Sequence, residues 1–266
     1  MQKMTTARLS EMKSNGEKIT VLTAYDWATA KLLDESGVDV LLVGDSLGMV
    51  VLGLENTLPV TMDDMIHHCK AVARGSQRAL LVGDMPFMSY QVSPEQAVTN
   101  AGRFLQEAGM HAVKVEGGRE MLPAVRRMTQ SGIPVLGHVG LTPQHVHQLG
   151  GYKVQGRTEV AAQRIREDAI ALEEAGVFGL VLECVPESLA RTISQQLAVP
   201  TIGIGAGPDC DGQILVFHDV VGLYDRFTPK FVKKYAQAGA LMREAVQQYV
   251  REVKSGDFPA PEHTFK

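Results

Sequence analysis

Short apolar runs alternate with amphipathic segments along this whole chain, with no linker and no shift in composition between them. The runs have the length and β-branched content of buried parallel strands, whose two faces are both covered. Eight are recognisable, at residues 18–25, 38–44, 79–83, 112–115, 133–137, 179–182, 201–204 and 213–217. Between them the spacing predicts helices over 28–36, from Thr61, from Ser93, over 120–130, 159–174 and 187–197, and a long terminal one over 229–254. Thr61-Met-Asp-Asp offers a threonine N-cap with acids in the first turn, and Ser93-Pro puts proline at the first helical position. Four helix ends share one pattern (Ser-Gly-Val-Asp, Ala-Gly-Met-His, Ser-Gly-Ile-Pro, Ala-Gly-Val-Phe), a repeated turn from helix into strand. Eight strand–helix units in 266 residues predict an α/β fold. The expected form is a single-domain (β/α)8 barrel covering residues 1–266 with a C-terminal helix; an open doubly wound sheet is the alternative.

Four of the runs stop at a carboxylate: Asp45, Asp84, Glu116 and Glu183. An acid gains nothing from an apolar core and must find a cation, a proton or a substrate. Parallel strands that end together bring such acids around one pocket. Asp45 and Asp84 share the context Leu-Val-Gly-Asp, where the glycine is expected to let the backbone turn sharply. With Glu116 they make an all-oxygen set suited to Mg²⁺, which keeps positions open for a chelating substrate. Lys114 precedes Glu116 by two residues and so shares its side of the strand, where a buried ammonium needs anionic company. Glu183, in an apolar surround, would have its ionised form disfavoured, as a general base near neutral pH requires. His138 ends the fifth run, able to orient a carboxylate or shuttle a proton; a structural histidine is the alternative. Capping of the next helix is the alternative for each acid taken singly, and the convergence of four argues against it.

Charge and cysteine usage narrow the class further. A net charge of −4 with scattered basic residues speaks against a nucleic-acid partner. Cys69, Cys184 and Cys210 lack CxxC spacing, which fits reduced thiols in the cytoplasm. No stretch reaches the roughly 18 apolar residues of a membrane span, and the N-terminus has no apolar signal region. Two connections, 47–60 and 138–158, are long and glycine-containing, and are candidate lids. Thr201-Ile-Gly-Ile-Gly-Ala-Gly lacks the setting of a phosphate cradle and suggests close backbone approach to a ligand.

Several segments in order carry a family resemblance. They are Val43-Gly-Asp-Ser-Leu-Gly-Met-Val, Gly83-Asp-Met-Pro-Phe, Val113-Lys-Val-Glu-Gly-Gly, Gly137-His-Val-Gly-Leu-Thr-Pro-Gln, Leu182-Glu-Cys-Val-Pro and Gly203-Ile-Gly-Ala-Gly-Pro with Cys210-Asp-Gly-Gln. From about residue 18 to 259 the chain resembles the ketopantoate hydroxymethyltransferase (3-methyl-2-oxobutanoate hydroxymethyltransferase) family. The resemblance implies a TIM barrel of the phosphoenolpyruvate/isocitrate-lyase type, Mg²⁺ dependence and assembly as a homodecamer. It implies transfer of a one-carbon unit from 5,10-methylenetetrahydrofolate to 3-methyl-2-oxobutanoate, giving 2-dehydropantoate in pantothenate synthesis. By the same resemblance Asp45 and Asp84 bind the metal and Glu116 completes its shell, directly or through water. Ser46 and Lys114 hold the 2-oxo acid, with Asp45, Asp84 and His138 in the same substrate-binding set, and Glu183 is the catalytic proton acceptor. Lyases and phosphonomutases of this barrel type carry a Lys-Lys-Cys-Gly-His-like loop, and the sequence has none. A non-catalytic barrel that binds a metabolite would not need three metal-type acids and a base.

Overall fold

The structure, a computed structural model, describes residues 3–265. They divide after Val216 into two compact units. In the first, α1 (Thr6–Ser14) precedes β1 (Ile19–Thr23), α2 (Trp27–Glu35) and β2 (Val40–Val43). Short α3 (Leu47–Val50) and then α4 (Met62–Gly75) lead to β3 (Leu80–Asp84), α5 (Pro94–Gln106), β4 (Ala112–Lys114) and α6 (Leu122–Gln130). After β5 (Val135–Gly140) come α7 (Val146–Leu149) and α8 (Glu159–Glu174), then β6 (Gly179–Glu183), α9 (Glu187–Gln196), β7 (Thr201–Ile204) and β8 (Gly212–Leu215). The second unit contains α10 (Phe217–Val220) and α11 (Ala238–Ser255). No helix among the described residues is long and apolar enough to cross a membrane.

The eight strands are parallel and pair in chain order, and β8 pairs with β1 to close the barrel. Closure needs a glycine at 212, because a Cβ there would stand 2.5 Å from the Ile19 carbonyl oxygen. The helices start where their capping residues stand. Thr61 and Asp64 form a reciprocal capping box on α4, and Ser93 Oγ accepts from the Gln96 N–H at the start of α5. The recurrent helix-to-strand glycines Gly37, Gly109, Gly132 and Gly176 all adopt φ between +71° and +93°, a left-handed stop that side chains disfavour.

The inward face of the strands repeats every second residue. Ile19 and Val21, Val40 and Leu42, Leu80 and Val82, Ala112, Leu136, Val181, Ile202 and Ile214 fill the barrel with one buried apolar cluster. Met4, Leu9 and Met12 join it, so α1 and the residue before its cap close the end at which the strands begin. The sequence pattern did not announce this helix, whose apolar residues are few and whose stability comes from the barrel it covers.

The terminal helix is shorter than the expected 229–254 and starts at Ala238. The N–H groups of Tyr235 and Ala238 bond the carbonyls of Val220 and Val221, both at 2.8 Å, which commits this stretch to a loop. Likewise the eighth strand ends at Leu215, and Phe217 opens α10 where a strand residue was expected.

Candidate active site

The same two-residue period that fills the core delivers the chemistry. Leu80 and Val82 lead to Asp84, Ala112 leads to Lys114 and Glu116, Leu136 leads to His138, and Val181 leads to Glu183. Each strand is therefore apolar where it starts and polar at its carboxyl end, on one inward face. Asp45 falls just past β2 and reaches the cluster by another route, its N–H donating to Asp84 Oδ2 at 3.2 Å.

A chain of charge contacts crosses the mouth. Lys114 Nζ lies 2.7 Å from Asp84 Oδ1 and 3.4 Å from Glu116 Oε1. His138 Nδ1 is 3.5 Å from Glu116 Oε1, and its Nε2 is 3.2 Å from Glu183 Oε2. Neither histidine contact has hydrogen-bond alignment, so the imidazole is held by charge between two acids. Asp45, Asp84, Lys114, Glu116 and His138 are all buried, while Glu183 is partly open. Ser46 is half-buried, with Oγ 2.9 Å from Tyr25 Oη. All seven residues singled out from the sequence thus stand at one end of the barrel.

Burial dominates the electrostatics and neighbours decide its outcome. It raises Asp45 well above the usual carboxylate range, and the Asp84 and Glu116 charges add to this. Asp84 is also raised, because burial outweighs the opposing pull of Lys114. For Glu116 burial loses: Lys114 and His138 hold it below its ordinary value. Burial likewise fails to neutralise Lys114, which its acids keep protonated. Burial opposes a charged imidazole at His138, yet the Glu116 and Glu183 carboxylates raise it to about 9.

Three local expectations change. Neither Gly44 nor Gly83 takes left-handed backbone; the chain turns at Gly44, whose carbonyl accepts from the Leu47 N–H at 3.1 Å, whereas Gly83 lies within β3. A Cβ on Gly83 would overlap the Phe104 ring of α5, so this glycine makes room for a helix against the strand. Similarly, Gly203 leaves space for Cys210 Sγ, which a Cβ would meet at 2.9 Å, and so serves packing. Glu183 faces His138 in place of the expected apolar surround. Cys184, the next residue, takes φ +48°, a strained value for a side-chain-bearing residue.

The residues fit a divalent ion in part by protein and in part by other oxygens. Among the described residues, no three acids, histidines or cysteines come together closely enough to enclose a metal. Lys114 stands between Asp84 and Glu116, and Glu116 Oε2 accepts from the Gln144 N–H at 3.0 Å. Asp45 and Asp84 are also engaged, by the Gln144 amide and by Lys114, but they differ from Glu116 in that burial outweighs these partners and leaves both acids under-compensated. Mg²⁺ needs no more, since it commonly binds one or two carboxylates and completes its octahedron with water and substrate.

Sequence reasoning missed Gln144 and Tyr90. Both are buried, and both bond to the acid row. Gln144 closes the segment Gly137-His-Val-Gly-Leu-Thr-Pro-Gln, which was the one available signal. Nothing in the local pattern marks Tyr90.

Comparison with known proteins places this arrangement in a family. Solved structures with the same fold include phosphonopyruvate hydrolase complexed with oxalate and Mg²⁺, at TM-score 0.64 and 13% identity over 99% of this chain and 93% of that one. Another is 2,3-dimethylmalate lyase of the PEP mutase/isocitrate lyase superfamily, at TM-score 0.58 and 18% identity over 97% and 91%. Relatives named 3-methyl-2-oxobutanoate hydroxymethyltransferase are far more similar. That of Syntrophus aciditrophicus is 65% identical over 99% of this chain and 97% of its own length. That of Heliobacterium modesticaldum is 59% identical over 99% and 96%. The sequence profile of the ketopantoate hydroxymethyltransferase family matches residues 3–261. With the family profile matching residues 3–261 and relatives 59–65% identical over 99% of its length, the chain belongs to the ketopantoate hydroxymethyltransferase family and is an enzyme of that kind.

Proposed function

We propose that this enzyme transfers a one-carbon unit from 5,10-methylenetetrahydrofolate to 3-methyl-2-oxobutanoate, giving 2-dehydropantoate for pantothenate and coenzyme A synthesis, with Mg²⁺ as its metal. The observation that carries the reading is the row of charged groups across the strand ends, with an under-compensated acid pair toward one end and Glu183 at the other. Asp45 and Asp84 would hold the ion, and Glu116, engaged by Lys114 and Gln144, would act on its shell through water. When bound, Mg²⁺ supplies Lewis acidity toward the two chelating oxygens of a 2-oxo acid, which favours loss of the C3 proton and enolate formation.

The chain's own groups divide the remaining work. Lys114 brings a fixed positive charge to the side where the enolate's negative charge develops. Ser46 offers a hydroxyl to the 2-oxo acid. Glu183 accepts the C3 proton, a role worth about 10²–10⁴ in rate for a positioned base. His138 keeps its proton at neutral pH between Glu116 and Glu183, and so orients the base and screens it from the neighbouring acid. The connections after β2, β3 and β5 leave Leu52, Met88 and Tyr152 exposed, apolar surface suited to a pterin ring and to excluding water from the transfer.

The reading includes a cytoplasmic homodecamer. Its support is α11, where Leu241, Met242, Val246 and Tyr249 are each at least 56% exposed and form a stripe that another subunit would cover. The activity itself is tested with purified protein, both substrates and Mg²⁺. Formation of 2-dehydropantoate should stop with EDTA and resume with added Mg²⁺. Absence of product, or product formation indifferent to the chelator, would refute the reading.

A further inference from the structure

Gln144 belongs to no part of the charged row, yet it is bonded to two of its acids. Its Nε2 donates to Asp45 Oδ2 at 3.0 Å and to the Met85 carbonyl at 2.9 Å. Its Oε1 accepts from Tyr90 Oη at 2.8 Å and from Gln91 Nε2 at 3.1 Å. Its backbone N–H donates to Glu116 Oε2 at 3.0 Å. Tyr90 Oη in turn accepts the Glu116 N–H at 3.0 Å. The bonds close a ring: Glu116 backbone to Tyr90, Tyr90 to the Gln144 amide, the amide to Asp45, and the Gln144 backbone back to the Glu116 carboxylate.

The orientation of the amide is determined by this setting. Rotated by half a turn, Oε1 would face the Asp45 Oδ2 and Met85 carbonyl oxygens, and the carbonyl can offer it no proton. Nε2 would then face the Gln91 amide nitrogen, and the Tyr90 hydroxyl would be left with the Glu116 carbonyl at 3.1 Å as its acceptor. Gln144 is 3% exposed and Tyr90 1%, so no solvent can correct a wrong choice. The Met85 carbonyl therefore favours the orientation in which Nε2 also donates to Asp45 Oδ2.

We propose that Gln144 is a positioning residue for the metal-binding acids: its amide, held between Tyr90 and the Met85 carbonyl, fixes Asp45 Oδ2 and leaves Oδ1 available to an ion. The inference rests on the reading of Asp45 and Asp84 as Mg²⁺ ligands. It also explains why the long connection after β5 carries a buried glutamine near its start: the same residue ties that connection to the segments just past β2, β3 and β4.

The test is Mg²⁺ titration by calorimetry, supported by Mn²⁺ binding followed by electron paramagnetic resonance. The proteins are wild type, Gln144→Met, Tyr90→Phe and the double variant, each checked for fold by circular dichroism. Removing an outer partner of a metal ligand lowers affinity by about 10–100-fold, and that is the loss expected for Gln144→Met. Tyr90→Phe should weaken Mg²⁺ binding less. The double variant should match Gln144→Met alone, because Tyr90 acts through the amide. Raising Mg²⁺ should restore substrate turnover in Gln144→Met, which it would not do for a folding defect. Wild-type Mg²⁺ affinity in Gln144→Met, or a full additional loss from Tyr90→Phe in that background, would overturn the positioning role while leaving the metal reading intact. Failure of the wild type to bind Mg²⁺ would overturn both.

Discussion

Replacing Lys114 by methionine removes one charge from the row and keeps most of the stem's volume. The ammonium lies 2.7 Å from Asp84 Oδ1 and 3.4 Å from Glu116 Oε1, with the side chain 6% exposed. At an effective dielectric near 20, each contact is worth about 5–6 kcal/mol before desolvation. Burying the ammonium costs several kcal/mol in return. Removing one partner leaves buried carboxylates uncompensated, and the net loss expected is about 3–5 kcal/mol. Its pH dependence has a definite sign. Burial already raises Asp45 and Asp84, while Lys114 is the main group opposing burial at Glu116. Without it Asp45 and Asp84 hold their protons still more tightly folded than unfolded and Glu116 loses its main opposing charge, so the variant's stability falls more steeply than the wild type's as pH rises. Urea unfolding in EDTA, at one protein concentration, should show the deficit at pH 8 and a smaller one at pH 5. A deficit under about 1 kcal/mol at pH 8, or one that does not shrink in acid, would refute the claim that Lys114 offsets these acids.

Asp84→Ala should abolish Mg²⁺-dependent turnover while leaving the fold intact by circular dichroism; near-normal turnover with unchanged Mg²⁺ dependence would remove Asp84 from the metal site. His138 titrates near 9 against an ordinary 6.5, so its charged form stabilises the fold fully below pH 6.5 and loses that contribution as pH rises through 9. The shift corresponds to about 3 kcal/mol, and in EDTA the stability gap between wild type and His138→Gln should close by that order between pH 6 and pH 9.5. A constant gap would count against the charged imidazole. Gly83→Ala should cost about 1–3 kcal/mol in urea unfolding by forcing Phe104 of α5 away from β3, and a neutral result would refute the packing role given to this glycine.

The barrel was legible because its strands are buried on both faces, and eight apolar runs with capped helices between them leave few other topologies. The site was legible for a related reason. Asp84, Lys114, Glu116, His138 and Glu183 continue the inward period of apolar strands, so a break in hydrophobicity marks each one. Features depending on contacts distant in sequence were hidden. Gln144 bonds Asp45 across 99 residues, and α1 is stabilised by a barrel interior built from all eight strands. The start of α11 was misread because residues 235–238 have good helical composition, yet their N–H groups are taken by carbonyls at 220 and 221. Gly83 was misread for the same kind of reason: its neighbour Phe104 comes from the following helix.

The central claim is that one end of the barrel removes the C3 proton of a 2-oxo acid, with Mg²⁺ held by Asp45 and Asp84 and Glu183 as the base. Hydrogen exchange at C3 of 3-methyl-2-oxobutanoate in D₂O, followed by NMR without folate, isolates that step. The wild type should exchange the proton only with Mg²⁺ present, and Glu183→Gln should slow exchange by about 10² or more while keeping Mg²⁺ affinity within a few fold. Exchange that proceeds without metal, or at the wild-type rate in Glu183→Gln, would contradict the account.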